Sequence, residues 1–452
     1  MMHQLKVRSH PLRRFVRAFS AVMLAVVAAA AQGRDSLTVD NAVEIVLQRN
    51  PSVAQATEAL EAARELTLGL KSANYPSVKA SLSDVYLGPE YPFNFNGTPF
   101  RMYPDNNFDA HISAEYSIFD FGKRSVKIKN GIVGEAIGED NLQNIKAGLS
   151  FQIVQIFHNI LLLEKSVEVA DDGIAELDRH LLIVKKKLET GSATEYDVLK
   201  TEVQRAAAQS QLIDIENDRA KKQASLRQLL GLAPDAPLYL KGSFDASQTR
   251  LNQDSLVECA IKSRTEHTLA LHKVESAKLQ RESAHRENLP DLGGYVSTGF
   301  KNGFPDEAAP PKTNISTPRI NWGVGAQATI PIYDGMKTKH HESEAERNEL
   351  ATAAGLKDIE ERIKVEVLQA KTDVESAFAK LAVSATQVRF AGESLTLARL
   401  KYEAGVITNH DVLDAENDLE QAKLGHLQNQ YRYVMSLYAL DQATGKKIYA
   451  GN

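Results

Sequence analysis

The chain repeats itself. Shifted by 214 residues, it matches itself without a gap from near its start to near its end. Leu37, Asp40, Val43 and Glu44 return as Leu251, Asp254, Val257 and Glu258, and Pro76 returns as Pro290. Ile118, Asp120 and Lys123 return as Ile332, Asp334 and Lys337. Glu189, Gly191, Asp197, Val198, Leu199 and Glu202 return as Glu403, Gly405, Asp411, Val412, Leu413 and Glu416, and Gly231 returns as Gly445. One offset holding for fifteen pairs restricts the fold to two similar halves. The expected division is an N-terminal segment 1–31, a first repeat 32–250 and a second repeat 251–452.

Proline placement divides each half again. Eleven of fifteen prolines fall within 76–104 and 290–331, while 105–233 and 332–452 hold none. Proline costs about 3 kcal/mol inside a helix, so the two proline-free stretches are open to long helices. Each half is expected to run helix, β-hairpin, long helix pair: hairpins at 77–118 and 291–332, helix pairs at 123–230 and 337–444. The first helix has Thr38 as N-cap and apolar residues at Val39, Ala42, Val43 and Val46. Its pattern runs past Asn50-Pro51 to about Ala73, and Pro76 ends it.

The hairpins alternate with period two. Phe108, Ala110, Ile112, Ala114, Tyr116 and Ile118 share one face; Ile320, Trp322, Val324, Ala326, Ala328, Ile330 and Ile332 share another. Ser77–Leu87 and Asp291–Lys301 are weaker partners, the first interrupted by Asp84. Strands of about 10 to 13 residues cross a bilayer when tilted. The first connecting loop carries Tyr91, Phe93, Phe95, Phe100 and Tyr103, which with Tyr86 and Tyr116 match an interfacial aromatic girdle. On pattern alone, a hairpin burying one face on a soluble sheet fits equally.

Residues 123–190 and 337–404 read as helices of roughly 100 Å, which need lateral partners along their length. Return helices follow Gly191 and Gly405. Their seams, Leu199, Val203, Ala206, Ser210 and Ile213 in one half and Val412, Ala415, Leu419 and Ala422 in the other, predict close coiled-coil-like packing. Gly131, Gly134 and Gly138 mark either a close approach or a weak point of the helix.

The N-terminus has the form of a secretory signal: Lys6, Arg8, Arg13, Arg14 and Arg17, then an apolar run from Phe19 to Ala31. An uncleaved anchor is the other reading. No later apolar run reaches about 18 residues, which argues against helical membrane spans. The lone cysteine, Cys259, forbids an internal disulfide and aligns with Ile45, so it is expected to be a small buried apolar residue. A net charge of −5 gives no general attraction for nucleic acid. Four membrane-length strands cannot close a barrel, and open edges cannot lie in lipid, so a membrane reading requires several chains.

Several local motifs are more specific. Leu37-Thr38, Ala42, Leu47 and Asn50-Pro51 open the first repeat; Phe119-Asp120-Phe121-Gly122-Lys123 and Tyr333-Asp334-Gly335-Met336-Lys337 join strand to helix. Tyr402, Gly405 and Asp411-Val412-Leu413-Asp414-Ala415 form a tip motif, and Leu230-Gly231 closes the first half. In this order the chain resembles the TolC-like outer membrane efflux protein (outer membrane factor) family over about 37–445. The resemblance implies a mostly α fold with a small membrane β part. It also implies a homotrimer that shares a transmembrane β-barrel above an α-helical barrel. The implied role is the exit duct of a tripartite efflux pump or type I secretion system in the outer membrane. A periplasmic adaptor and an inner-membrane transporter of RND or ABC type are the implied partners.

At the tip, Gly191 and Gly405 suit the left-handed end of a helix. Thr194 with Asp197 and Thr408 with Asp411 have capping-box spacing. Asp414 lies one turn beyond Asp411, too deep for a cap, and its repeat counterpart is Lys200. The resemblance implies that Asp411 and Asp414 ring a cation-selective constriction, with Asp197 a further candidate; capping and a solvated surface charge are the plainer roles. Where some members carry a latching arginine, this chain has Ile407. Val406-Ile407 is either an adaptor-docking knob or packed inside the tip. No P-loop, dinucleotide or zinc-protease motif occurs, and no enzyme or cofactor is expected. His340, His341 and Glu344 read as a charged solvated face. The competing class is a soluble periplasmic coiled-coil adaptor or scaffold.

Overall fold

The computed structural model describes residues 36–88, 93–95, 98–100, 104, 106–244, 251–303 and 317–446. The signal-like segment, Tyr91 and Tyr103 lie outside the described residues.

Two helices stand where the sequence pattern predicts one. Helix α1 (Val39–Arg49) ends at Asn50 and α2 (Pro51–Ser72) starts at once. Asn50 sits in extended backbone, φ −71° and ψ 128°, as a residue before proline prefers. Its side chain then caps α2, accepting from the Ser52 N–H at 2.9 Å. The second half breaks at the same place without a proline, between α5 (Gln253–Ser263) and α6 (Thr265–His285). There the extended Arg264 bonds Glu266 and Glu366. Cys259 is exposed rather than buried, with Sγ 3.8 Å from the Thr444 carbonyl oxygen. Its neighbour Ala260 takes the inward position of α5, which turns the thiol outward.

Strands β1 (Ser77–Tyr86), β4 (Asn106–Phe119), β5 (Asp291–Lys301) and β6 (Arg319–Thr329) form one antiparallel sheet in that order. Strands β2 (Phe93–Phe95) and β3 (Thr98–Phe100) pair separately. Strand β6 stops at Thr329, short of the predicted Ile332, since Pro331 cannot donate to a ladder. Each sheet-to-helix junction turns through two consecutive left-handed residues, Phe121-Gly122 and Gly335-Met336. Asp120 and Asp334 hold these turns by accepting from the N–H groups of Arg124 and Thr338, both at 2.9 Å.

Helices α3 (Lys123–Glu189) and α7 (Lys337–Glu403) are 67 residues each, and α4 (Glu195–Leu230) and α8 (Asn409–Ala443) return from them. In the half nearer the sheet the lateral order is α2, α3, α6, α7; in the far half it is α4, α3, α8, α7. Two cores repeat the 214 offset: Val46, Ile153 and Leu226 in one, Ala260, Val367 and Leu440 in the other, all buried. Among the described residues α3 alone is long and apolar enough to cross a membrane. Its apolar residues Ile153, Val154, Phe157 and Ile160 instead fill the first core. Gly131 and Gly138 admit α2 closely: a Cβ would lie 2.8 Å from Leu70 Cδ1 and 3.2 Å from Leu60 Cδ1 respectively. Gly134 faces open space.

Candidate functional site

The strand register sorts the sheet into two chemically different faces. Leu82, Ala110, Phe300 and Ile320 line up across the four strands, as do Ala80, Ile112, Thr298 and Trp322, and Val78, Ala114, Val296 and Val324. The rows between them are Ser81, His111, Gly299 and Asn321, and Lys79, Ser113, Ser297 and Gly323. Neighbouring residues of a strand point to opposite faces, so one face is an apolar band and the other polar. Trp322 is 76% exposed within the apolar band. Strands β1 and β6 are each paired on one side only. A wall with one greasy face, one wet face and two open edges suits a segment of a barrel around water.

At the opposite end, the helical turns are built as the sequence predicts. Gly191 and Gly405 take φ of 73° and 74°. The Ser192 N–H reaches the Lys187 carbonyl at 2.7 Å, and the Val406 N–H reaches that of Lys401 at 2.9 Å. Both capping boxes form: Asp197 Oδ2 accepts from the Thr194 N–H at 2.9 Å, and Asp411 Oδ2 from the Thr408 N–H at 2.8 Å. The Thr408 hydroxyl, then its N–H, hold the exposed Asp411 carboxyl below the ordinary carboxylate range. Asp414 is exposed, its Oδ1 3.5 Å from His410 Nδ1, while Asp197 is half-buried. Val406 projects into solvent; Ile407 packs inward beside Val184, Leu395 and Val412.

Behind these caps lies a polar brace that sequence reasoning missed. His180 Nε2 is 2.7 Å from Asn409 Oδ1, and Asn409 Nδ2 donates to the Thr201 hydroxyl and the Asp197 carbonyl, both at 3.1 Å. All of His180, Thr201 and Asn409 are buried, and together they tie α3, α4 and α8. Lys187 donates to the Tyr402 carbonyl at 2.5 Å and sits 4.3 Å above that ring. Asn409 looks like one more polar residue at a helix start, and its repeat counterpart Glu195 is exposed, so neither composition nor the repeat marks it. His341 pairs with Glu287 at 2.7 Å rather than with Glu344.

The predicted seams divide. Val412, Ala415 and Leu419 pack against α3 and α7 as expected. Leu199, Val203 and Ile213 on α4 do not; each is more than half exposed. On α7, the other flank of the array, Val383, Phe390 and Leu397 recur every seven residues and are also more than half exposed. The apolar stripes therefore lie on the two outer edges, where none of the described residues covers them.

The outer membrane efflux protein family model matches residues 42–232 and again 257–446. The alkaline protease secretion protein AprF of Pseudomonas aeruginosa is 22% identical over 417 residues, 88% of this chain and 84% of the relative. The cation efflux system protein CusC of Escherichia coli O157:H7 is 23% identical, over 90% of this chain and 86% of the relative. The outer-membrane channel OprN shares the fold with a TM-score of 0.78 at 16% identity, covering 91% of this chain and 90% of that one. These matches favour an export duct over a soluble scaffold.

Proposed function

The chain belongs to the outer membrane efflux protein family and is an outer-membrane duct subunit for efflux or type I secretion, with a large periplasmic helical part; from that premise we propose that it works as a homotrimer gated at its helical tip. The observation that carries this reading is that both layers end on open flanks. The sheet stops at the outer edges of β1 and β6, and the helical array stops at the apolar stripes of α4 and α7. Joining β1 of one copy to β6 of the next closes the backbone hydrogen bonds that lipid cannot satisfy. The same rotation brings α4 against α7 and covers both stripes. Three copies of four strands supply twelve, above the roughly eight of the smallest membrane barrels.

Within that ring Asp411 and Asp414 of each copy form carboxylate rings at the narrow entrance, and such rings favour cations. Val406 is the exposed apolar contact for a periplasmic adaptor. Ile407, half-buried in the tip, replaces a charged latch with packing. Energy comes from an inner-membrane transporter of RND or ABC type. Detergent extraction of the outer-membrane fraction, followed by light scattering and planar-bilayer recording, tests the proposal. A particle of three chains that conducts ions is expected; a water-soluble monomer overturns it.

A further inference from the structure

The polar face of the sheet sets its charges in a fixed pattern around one imidazole. His111 sits near the middle of β4, with Nδ1 2.8 Å from Asp109 Oδ1 and Nε2 3.3 Å from the Ser81 hydroxyl of β1. Asp109 Oδ2 in turn lies 3.4 Å from Lys301 Nζ of β5. The register puts Asp109, Lys301 and Arg319 in one row and His111 with Gly299 in the next. A Cβ at Gly299 would stand 2.7 Å from His111 Cβ, so the glycine leaves that side of the imidazole uncovered. The charged groups facing His111 are Asp109 on its own strand, Lys79 on β1 and Lys301 on β5. Lys79 is matched by Glu115 at 3.6 Å, as Lys301 is by Asp109. A proton on the imidazole is therefore a charge with no counterpart left for it.

We propose that His111 sets the ion preference of the barrel lumen. The proposal rests on reading the polar face of the sheet as the wall of a water-filled barrel. Histidine is the side chain that ordinarily gains and loses its proton between about pH 5 and pH 8. With the imidazole neutral, Asp109 and Lys301 cancel, and His111 favours neither sign of ion. With it protonated, each copy adds one positive charge at the same depth of the lumen, and small anions are favoured there. Asp411 and Asp414 hold negative charge at the far end of the duct, so acid gives the two ends opposite signs.

Purified full-length protein in planar bilayers tests this at about 10 mM salt, where the Debye length of about 30 Å reaches across a lumen. Lowering the pH from about 8 to about 5.5 on the barrel side is expected to shift the reversal potential toward anions. His111→Asn stays neutral at every pH, can still donate to Asp109, and is expected to abolish the shift. A second measurement needs no conduction. Ser113 follows His111 on the same face of β4, about 7 Å away. With Cys259→Ser as background, Ser113→Cys is labelled in detergent at the same low salt by methanethiosulfonates bearing a sulfonate or a trimethylammonium group. The ratio of the two rates cancels the protonation of the thiol itself. Acidification is expected to raise the anionic-to-cationic ratio about two- to fivefold, as one charge at that distance in water implies. Adding His111→Asn is expected to hold the ratio constant. A shift of equal size with and without His111, or a ratio that does not move, overturns the proposal. A protein that conducts nothing overturns the duct reading instead, and the labelling ratio still decides the role of His111.

Discussion

His180 Nε2 stands 2.7 Å from Asn409 Oδ1 although the residues are 229 positions apart, one on each helical hairpin. Both side chains are buried, so removing the imidazole strands an amide oxygen away from water. A buried polar group left unpaired costs about 1–3 kcal/mol, and His180→Ala should destabilise the protein by that amount, with some added loss of packing. Thermal unfolding in detergent measures it. A change below the scatter of surface substitutions would mean the brace carries no weight.

Met336 holds φ of 69° at a junction where the matching position of the first half is Gly122. Left-handed backbone costs an ordinary residue about 1–2 kcal/mol, and glycine returns about 0.5–1 of that through its freer unfolded chain. Met336→Gly should therefore raise stability by about 0.5–1 kcal/mol, read as a higher denaturant midpoint.

The two faces of β6 should respond oppositely to charge. Trp322→Arg puts a cation in the apolar band, at about 2–4 kcal/mol near the bilayer midplane; Asn321→Arg faces the polar side and should cost far less. Yield of detergent-resistant oligomer and urea unfolding from vesicles compare them. Equal losses would contradict the assignment of faces.

Leu199 on α4 and Leu400 on α7 lie at matching depth from the tip, on opposite flanks, and each is more than half exposed. With Cys259→Ser as background, Leu199→Cys combined with Leu400→Cys should form disulfides between copies and give covalent ladders up to three chains. Cross-links confined to single chains would sink the ring closure.

Replacing Asp411 and Asp414 together by asparagine should lower cation selectivity, seen as a shift of reversal potential in a salt gradient. Asparagine keeps an acceptor for the Thr408 N–H, so the cap survives and the charge alone is tested. The natural Asp411, held low by Thr408, should keep its cap until pH falls below the ordinary 3.8 and through its own lowered value. Unchanged selectivity in the double variant would leave both residues as caps or surface charges.

Signals that act locally decide local structure. The proline gaps, the left-handed glycines and the threonine–aspartate caps depend on neighbours a few residues away, and the long helices, the turns and both capping boxes lie where those residues put them. Pro51 allows a helical pattern to continue yet forces Asn50 into extended backbone, which splits the predicted single helix. Cys259 is exposed although its repeat counterpart is apolar, because burial depends on which turn of α5 meets α7.

The amino-acid order by itself determined the doubled architecture, the long helices with their turns and the alternation of the strands, since periodicity and backbone propensity are properties of a segment alone. Only the folded chain decided that α4 and α7 are flanks while α3 and α8 are interior, and that Asn409 is buried against His180 rather than solvated. Apolar stripes on the four helices look alike in sequence; which of them finds a partner depends on contacts between residues some two hundred positions apart, and no local pattern encodes those.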